Sequence, residues 1–371
     1  SLASLAFDIS LFEWLYPLLH GGQVRLVCKE DILDMAQLQH HISQADWVHM
    51  VPSLLGSWLN SLHAEACTQL TGLKGIATGG DNVPASLLKA VHHTLPEVAL
   101  LQFYGPTEAT LIASCETDAA QHNHSIGQVI SHSEAYVLDQ DLQLQPQGCV
   151  GELYLGGALA QGYLNQPKLS AHHFIAHPFK QDEGARLYKT GDLVRVGKDG
   201  RLSFVGRSDE QVKIRGFRVE LGDIEQHLRA LSGVTDCVVM VQTEDTEKRL
   251  VAYVQSTEDT EQSALIAKWR AGLSQQLPSY MVPTGWCVLA ALPLNVNGKL
   301  DKKALPEIDM TQAQAEYVAP QNEQERALVE IWATLLKLEA DKLSVLANFF
   351  ELGGDSILSI QVVSRAAQQG L

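Results

Sequence analysis

Two adjacent glycines near the end of the chain constrain the fold around a single serine. Gly353 and Gly354 allow a tight turn with backbone angles that other residues avoid. Asp355 is a good N-cap residue, and an apolar-periodic stretch follows it, so a helix should begin at Ser356. This places one hydroxyl at an exposed junction between a loop and a helix. An ordinary capped surface helix has the same local pattern, and no histidine lies nearby in sequence to activate the hydroxyl.

Composition limits the classes of protein to which the chain can belong. Its 371 residues predict about two or three domains, and 46% hydrophobic content allows sizeable cores. A net charge of −16 leaves no broad basic surface, so we expect no nucleic-acid partner. No apolar run reaches the ~18 residues that a membrane helix needs, so no membrane association is expected.

The cysteines and the termini indicate the compartment. Six cysteines are scattered without a CxxC pair, which favours free thiols in a reducing cytoplasm over a disulfide or zinc framework. No signal peptide is recognisable, so we expect a cytoplasmic protein. The strand-and-helix pattern is already under way at Ser1 and a helix has only just begun near Leu371. We therefore expect the chain to be a piece of a longer polypeptide.

The pattern of predicted helices and strands changes along the chain. Short β-rich runs at 24–27, 47–51 and 98–103 alternate with helical patterns at 34–42 and 85–93, which predicts an α/β layered domain. From about residue 125 the pattern becomes hairpin-rich, with a strong turn signal at Lys198-Asp199-Gly200. We place the domain boundaries as follows: a large unit over 1–208, a small α+β unit over 209–305, a polar linker over 306–321, and a helical unit over 322–371.

Several motifs occur in one order along the chain, and the order is stronger evidence than any single motif. They are Phe7-Asp8-Ile9-Ser10, Tyr104-Gly105-Pro106-Thr107-Glu108, Gly151-Glu152-Leu153-Tyr154-Leu155-Gly156-Gly157, Tyr188-Lys189-Thr190-Gly191-Asp192-Leu193, the run from Gly206 to Leu221, Leu277-Pro278-Ser279-Tyr280-Met281-Val282-Pro283 and Asn297-Gly298-Lys299-Leu300-Asp301. Together they resemble the adenylation domain of nonribosomal peptide synthetases, a family within the adenylate-forming superfamily. The motif around Ser356 resembles the 4'-phosphopantetheine attachment site of a peptidyl carrier, or thiolation, domain.

The resemblance implies an α/β fold in three parts. The first is a large layered α/β and β-hairpin-rich adenylation core that lacks its N-terminal part. The second is a small α+β C-terminal subdomain, and the third is a partial helical-bundle carrier domain. The family's glycine-rich phosphate loop is missing from the sequence, so this chain alone could be inactive.

Making an acyl-adenylate requires groups that bind the phosphates, the metal and the adenosine. A hard carboxylate at Glu108 beside the Thr107 hydroxyl suits Mg²⁺ and phosphate. The resemblance implies that Glu108 holds Mg²⁺, that Thr107 contacts phosphate, and that Lys299 is the catalytic lysine that neutralises the reacting carboxylate and phosphate. It implies an ATP- and AMP-binding set consisting of Tyr104, Gly105, Asp192, Phe204 and Arg207.

The resemblance also predicts the substrate pocket and a hinge. In amino-acid-activating members an aspartate at the position of Asp8 pairs with the α-ammonium group, so Asp8 and Lys299 would bracket a zwitterion. The remaining predicted pocket residues are Ile9, Phe12, His49, Ile76, Thr78, Phe103, Leu111 and Ile112. This mostly apolar set favours a small or medium neutral side chain. Asp209 matches the hinge between the large and small subdomains.

These residues lead to a function and to its alternatives. The expected activity is ATP-dependent formation of an aminoacyl-AMP, followed by loading of a thioester onto a phosphopantetheine arm at Ser356. The expected partners are an amino acid, a phosphopantetheinyl transferase, and neighbouring condensation or other synthetase domains. An acyl- or aryl-acid-activating ligase fused to a carrier, and a non-catalytic fragment, both remain open at this point.

Ser356 is predicted to be the attachment point of the phosphopantetheine arm. Incubation with coenzyme A and a broad-specificity phosphopantetheinyl transferase should add one phosphopantetheinyl group, as measured by intact mass. The experiment needs a polypeptide that includes the complete carrier domain. Ser356→Ala should abolish the modification, whereas Ser359→Ala, in the same predicted helix, should leave it unchanged. Modification that persists in Ser356→Ala would contradict the assignment.

Overall fold

The computed structural model divides the chain into two compact units, 1–210 and 211–371. The division falls between Glu210 and Gln211, two residues beyond the predicted boundary after residue 208. The structure describes residues 1–62, 69–109, 111–117, 125–209, 211–214, 217–244, 247–256, 258, 261–293, 300–306, 308, 317–336, 338–349, 352, 354 and 356–371. The predicted division of the second unit into subdomain, linker and carrier remains a prediction.

The first unit begins with the predicted alternation of helices and strands. Its helices are α1 (Ile9–Leu19), α2 (Lys29–Leu33), α3 (Met35–Ser43), α4 (Pro52–Ser61), α5 (Ala85–Thr94) and α6 (Pro167–His173). Asp34 explains where α3 begins, because its carboxylate accepts hydrogen bonds from the backbone N–H groups of Ala36 and Gln37. Proline at the first position of α4 removes a donor that would have no partner there.

A ten-stranded mixed sheet forms the centre of the first unit. Its strands are β1 (Trp47–Met50), β2 (Gly75–Gly79), β3 (Ala99–Tyr104), β4 (Ser114–Glu116), β5 (Ser125–Val129), β6 (Ser133–Leu138), β7 (Val150–Gly157), β8 (Phe174–Ala176), β9 (Arg186–Val196) and β10 (Leu202–Arg207). The order is β1-β2-β3-β4-β5-β10-β9-β7-β6, and β8 pairs with β9. Strands β1 to β3 are parallel and their connections contain α4 and α5, which confirms the α/β class.

One predicted strand is wrong. Residues 24–27 form no strand, although Val24, Leu26 and Val27 are apolar residues that favoured one in the sequence pattern. The backbone of this segment makes two hydrogen bonds with Ser1, in which Val27 N–H donates to Ser1 O at 3.3 Å and Ser1 N donates to Arg25 O. A strand needs a ladder with a neighbour, and these two contacts replace it.

The hairpin between β9 and β10 confirms the predicted turn and joins the two halves of the sheet. Gly197 N–H donates to Arg201 O at 2.7 Å, and Gly200 takes the left-handed φ of +76°. Strand β10 then pairs with β9 on one side and β5 on the other. The last residues of β10 therefore lie at the centre of the first unit.

The second unit contains a three-stranded sheet covered by helices. Its elements before residue 300 are β11 (Val212–Ile214), β12 (Phe217–Val219), α7 (Leu221–Arg229), β13 (Asp236–Glu244), β14 (Glu247–Gln255), α8 (Gln262–Ser274) and β15 (Gly285–Leu289). The core on one face of this sheet includes Ile224, Val254 and the fully buried Trp269. On the other face, Leu300, Leu305 and Ile308 pack against Val251 and Tyr253.

Two further helices complete the second unit. Helix α9 (Glu323–Leu336) and helix α10 (Ser356–Gln368) bury Val329, Leu336 and Leu358 in a separate small core. Helix α10 begins at Ser356, as predicted. Among the described residues, no helix is both long enough and apolar enough to cross a membrane.

Candidate active site

The end of β3 and the turn after it carry four predicted site residues, Tyr104, Gly105, Thr107 and Glu108. Ala113 N–H donates to Tyr104 O at 2.8 Å, and this folds the chain back over Gly105. A Cβ atom at position 105 would lie only 2.5 Å from Leu111 O, so this position requires glycine. Thr107 then begins a 3₁₀ turn (Thr107–Ala109) with its side chain exposed, and Glu108 is buried.

Asp192 and Arg207 face each other across β9 and β10. The strand register pairs them directly, and Arg207 Nη1 lies 2.6 Å from Asp192 Oδ1. The same guanidinium donates to Thr190 O at 3.1 Å and to both carboxylate oxygens of Asp209 at 2.7 Å. One planar fork therefore binds the buried Asp192 carboxylate, a backbone carbonyl and the predicted hinge residue.

Tyr104 completes this network from β3. Its hydroxyl donates to Asp192 Oδ2 at 2.5 Å. Burial, together with the charge of Asp192, raises the pKa of Tyr104 well above its ordinary value, so the phenol remains a donor at neutral pH. Phe204 and Tyr104 are both half-buried and pack against the same hydrophobic core of the first unit.

Gly191 allows Arg207 and Asp209 to approach β9 closely. Its φ of +75° is left-handed, and a Cβ atom there would lie 2.6 Å from Arg207 Nη2. Ser208 N–H donates to Gly191 O at 2.8 Å, which fixes the chain just before the division between the two units. The Thr-Gly-Asp motif therefore has a structural requirement for its glycine as well as for its carboxylate.

Asp8 connects the predicted phosphate turn with the predicted substrate pocket. It directly precedes α1, but its side chain makes no capping bond to the helix. Instead, Asp8 Oδ2 accepts a hydrogen bond from the Thr107 hydroxyl at 2.5 Å, although 99 residues separate the two in sequence. The structure thus places two residues with different predicted roles in direct contact.

Three other predicted pocket residues lie where α1 meets β1 and β3. Phe12 and Phe103 pack edge to face with 5.1 Å between ring centroids. His49 is buried, and its Nδ1 lies 2.9 Å from Glu13 Oε1. Burial alone would raise the pKa of Glu13, but hydrogen bonds from His49 and the Ala3 backbone outweigh this and lower it, so the carboxylate stays charged.

The strand register separates two further pocket residues from this group. His49 pairs with Ala77 on β2, whereas Thr78 pairs with Met50 on β1. Because side chains alternate along a strand, Thr78 and Ile76 lie on the opposite face of the sheet from His49. The remaining predicted pocket residues are all half-buried, and they are Ile9 at the start of α1, Leu111 with φ +76° and Ile112.

Two predicted functional residues are not described at the side-chain level. Lys299 falls within 294–299, outside the described residues. The residues that flank this segment are joined, because Asp301 N–H donates to Pro293 O at 2.8 Å. Ser356 is the first residue of α10, and only its backbone is described.

Tyr163 contacts a predicted site residue, Glu108, but was not itself predicted from the sequence. Its hydroxyl donates to Glu108 Oε1 at 2.7 Å. Burial and the Glu108 carboxylate raise the pKa of Tyr163, so it too remains a donor. Glu13 was likewise not predicted. A polar residue one turn beyond Asp8 on an otherwise apolar helix was the available signal for Glu13, and Gly162 before an aromatic residue was the signal for Tyr163.

The donor set around Glu108 suits Mg²⁺ bound together with ATP. Mg²⁺ prefers oxygen ligands and usually takes one or two carboxylates while substrate phosphates and water supply the rest. Glu108 offers such a carboxylate, and Thr107 precedes it in the same 3₁₀ turn. No group of three His, Cys, Asp or Glu side chains that could hold a metal ion occurs within the part of the chain that the structure describes, so phosphate oxygens would have to complete the coordination.

Three family models match the chain in succession. The model described as AMP-binding enzyme matches residues 1–164, AMP-binding enzyme C-terminal domain matches 223–299, and phosphopantetheine attachment site matches 326–371. The chain belongs to the adenylation–carrier family of nonribosomal peptide synthetases. This family consists of AMP-forming ligases, and its fold is the mixed α/β architecture described above.

Synthetases that are similar in sequence are much longer proteins. Malpibaldin synthetase of Mortierella alpina is 41% identical over 371 residues, a match that covers 98% of this chain and 7% of that protein. Tyrocidine synthase 1 of Brevibacillus parabrevis is 38% identical, covering 98% of this chain and 33% of that protein. The chain therefore spans a small part of the relatives that it matches.

A solved structure supports the same assignment. Holo-PA1221, a nonribosomal peptide synthetase protein containing adenylation and PCP domains and bound to a vinylsulfonamide inhibitor, matches with a TM-score of 0.75 and 29% identity. The match covers 99% of this chain and 60% of that structure. The resemblance inferred from the motifs is thus confirmed by an independent comparison of folds.

The Arg207 network predicts a specific requirement for arginine. Arg207→Lys keeps the positive charge, but an ammonium group cannot bind Asp192, Thr190 O and Asp209 together. The negative charge of the buried Asp192 carboxylate is then less well compensated by hydrogen bonds. We expect AMP affinity to fall about tenfold, since a hydrogen bond to a charged group contributes about 1.5 kcal/mol. Equilibrium binding of AMP measures this. Arg195→Lys, an exposed position on β9, should behave like the wild type, and equal losses in both variants would contradict the assignment.

Proposed function

We propose that this chain activates an amino acid as an aminoacyl-AMP and transfers it to a phosphopantetheine arm on Ser356. The proposal rests on family membership and on the convergence of Tyr104, Asp192 and Arg207 with the Thr107–Glu108 turn in one unit. An amino acid is favoured over an acyl or aryl acid because the sequence carries a carboxylate at Asp8. A neutral acid without an amino group would leave that carboxylate with no cation to bind.

The hydrogen bond between Thr107 and Asp8 is the observation that carries the proposal. The chemistry requires the substrate carboxylate to reach the α-phosphate of ATP while the α-ammonium group remains bound. Phosphate-binding and ammonium-binding groups must therefore lie within one small molecule's length of each other. The 2.5 Å contact between the Thr107 hydroxyl and the Asp8 carboxylate meets this requirement.

The described residues also supply an adenosine site. Tyr104 and Phe204, which pack against the same hydrophobic core, are the proposed contacts of the adenine base. Asp192 is already bound by Tyr104 and Arg207, but a carboxylate has about four acceptor positions and can still accept from the ribose hydroxyls. The Arg207 charge lies beside the same carboxylate, where it can also interact with the nucleotide phosphate.

The first half-reaction is a displacement at phosphorus. A carboxylate oxygen of the amino acid attacks the α-phosphorus, the bond to the β-phosphate bridging oxygen breaks, and pyrophosphate leaves with the electron pair. Glu108 would hold Mg²⁺, which when bound supplies positive charge to the phosphates. Lys299 would offset the negative charge that develops on the α-phosphate, an electrostatic contribution that involves no proton transfer.

The second half-reaction transfers the acyl group. Sulfur from the arm on Ser356 replaces the phosphate oxygen at the acyl carbon, AMP leaves, and the thiol loses its proton. Asp209 is proposed as the hinge for the change between the two half-reactions. Its position supports this, because the division between the two compact units lies one residue further along the chain.

The first test of the function is amino-acid-dependent exchange between ATP and pyrophosphate. In the full-length protein, Lys299→Ala should lower the exchange rate about 10²-fold or more, because one preorganised charge contact typically contributes that much. Thioester formation from a pre-formed adenylate should persist. Lys303→Ala, an exposed residue near the same loop, is the matched control and should exchange normally. No exchange with any amino acid in the wild type would favour the non-catalytic alternative.

The role of Asp8 can be separated from a structural role. Asp8→Ala should weaken binding of the amino acid about 10–100-fold, because a hydrogen bond to a charged group contributes about 1.5–3 kcal/mol. Binding of the des-amino analogue should change little. Calorimetric titration of both compounds in the presence of a non-hydrolysable ATP analogue makes the comparison. Asp46→Ala, in an exposed ion pair with Lys74, is the control. Equal weakening of both compounds would show that Asp8 does not bind the amino group.

A further inference from the structure

The segment 160–163 holds Glu108 by its side chain and by its backbone. The Tyr163 hydroxyl donates to Glu108 Oε1 at 2.7 Å, and Ala160 N–H donates to the Glu108 backbone carbonyl at 2.8 Å. Glu108 is only 8% exposed, so few alternative partners from solvent can replace these contacts. The orientation of the carboxylate therefore depends on how firmly this segment is itself fixed.

Arg186 fixes the segment from β9. Its Nη1 donates to Gln161 O at 2.8 Å and its Nη2 donates to Ala160 O at 3.0 Å. The guanidinium carbon also lies 5.3 Å from the centre of the Phe174 ring. Two adjacent carbonyls are thus held by one rigid, planar side chain.

Helix α6 and strand β8 fix the tyrosine ring. Tyr163 N–H donates to Ser170 Oγ at 2.8 Å, and the ring packs against Phe174 and His173 with centroid distances of 5.7 and 5.9 Å. Gly162 permits this approach, because a Cβ atom at that position would lie 2.8 Å from Ser170 Oγ. The hydroxyl of Tyr163 therefore occupies a defined position before any substrate binds.

We propose that Tyr163 is a positioning residue that orients the Glu108 carboxylate toward the metal of bound MgATP. The inference rests on the proposed function, in which Glu108 holds that metal. The phenol donates and never accepts from a carboxylate, so it occupies one acceptor position of Oε1 and limits rotation of the carboxyl group. A partner that orients a metal-binding carboxylate in this way typically changes metal affinity by about 10–100-fold.

The variant Tyr163→Phe tests the inference, because it removes only the hydroxyl and keeps the packing against Phe174. We use the full-length protein and measure binding of Mn²⁺ to its ATP complex by electron paramagnetic resonance. The Mn²⁺ affinity should fall about 10–100-fold. The affinity for AMP in the absence of metal should stay within about twofold of the wild type. In adenylation assays the Mg²⁺ concentration for half-maximal rate should rise, and saturating Mg²⁺ should restore most of kcat.

Two further variants act as controls. Tyr136→Phe removes a hydroxyl elsewhere in the same unit, one that donates to Glu134 Oε2 at 3.0 Å. In this variant neither the Mn²⁺ affinity nor the AMP affinity should change. Arg186→Lys cannot hold both carbonyls, so it should lower the Mn²⁺ affinity in the same direction by a smaller factor. If Tyr163→Phe folds poorly, Arg186→Lys still measures how the position of the 160–163 segment affects the Mn²⁺ affinity.

The outcomes separate the inference from the proposed function. An unchanged Mn²⁺ affinity in Tyr163→Phe would overturn the positioning role, and so would an equal loss of AMP affinity, which would indicate a general structural role. Normal exchange activity in the wild type would leave the proposed function standing in both cases. A wild-type protein whose ATP complex binds no Mn²⁺ would overturn the metal role of Glu108 and this inference with it.

Discussion

The contact between Asp192 and Arg207 is the interaction on which the rest of the candidate site depends. Asp192 is 7% exposed, and a carboxylate buried to that extent is costly unless it is paired and hydrogen-bonded. Arg207 supplies the charge, and Tyr104 supplies a second donor. Because these residues come from β9, β10 and β3, the requirement to compensate one charge fixes the relative positions of three strands.

The same guanidinium connects the site to the end of the first unit. Its remaining donors bind Thr190 O and the exposed Asp209 carboxylate. Asp209 is the less costly partner to release, since water can solvate its carboxylate, whereas Asp192 has no such substitute. A hinge at Asp209 could therefore change conformation without leaving the buried carboxylate unpaired. This asymmetry gives a physical reason for placing the hinge there.

Local sequence patterns predicted most of the fold because the caps and turns that begin and end helices and strands are determined by neighbouring residues. Asp34 before α3 and Gly200 in the β9–β10 hairpin each act within a few residues. The segment 24–27 shows where this logic fails. Its strand propensity is real, but a strand also needs a ladder of hydrogen bonds with a neighbouring strand, and propensity alone does not supply one.

The site was predictable where a motif carries both partners and unpredictable where the partners are distant. Asp192 and Arg207 belong to neighbouring motifs that pair across one hairpin, so their proximity could be expected from the sequence. Tyr163 contacts Glu108 across 55 residues, and Glu13 contacts His49 across 36 residues. The pocket prediction also depended on strand register, because a shift of one residue moves a side chain to the other face of the sheet. That is why Thr78 and His49, both reasonable pocket residues by alignment, lie on opposite faces.

The contact between Thr107 and Asp8 suggests how the two substrates are brought into line. In the structure the Thr107 hydroxyl donates to Asp8, yet the same hydroxyl is the proposed donor to phosphate. A hydroxyl has a single proton to donate, so it cannot fully serve both acceptors at once. Under the proposed function, a phosphate that accepts the Thr107 hydrogen bond would leave the Asp8 carboxylate with one donor fewer, and Asp8 would then be a stronger acceptor for the α-ammonium group. If the ammonium group were to bind first, it would donate to Asp8 and weaken the hydrogen bond from Thr107. The Thr107 hydroxyl would then be available to donate to phosphate. On the proposed roles, each substrate would remove a competitor of the other, and linkage requires such a coupling of their affinities to be equal in both directions.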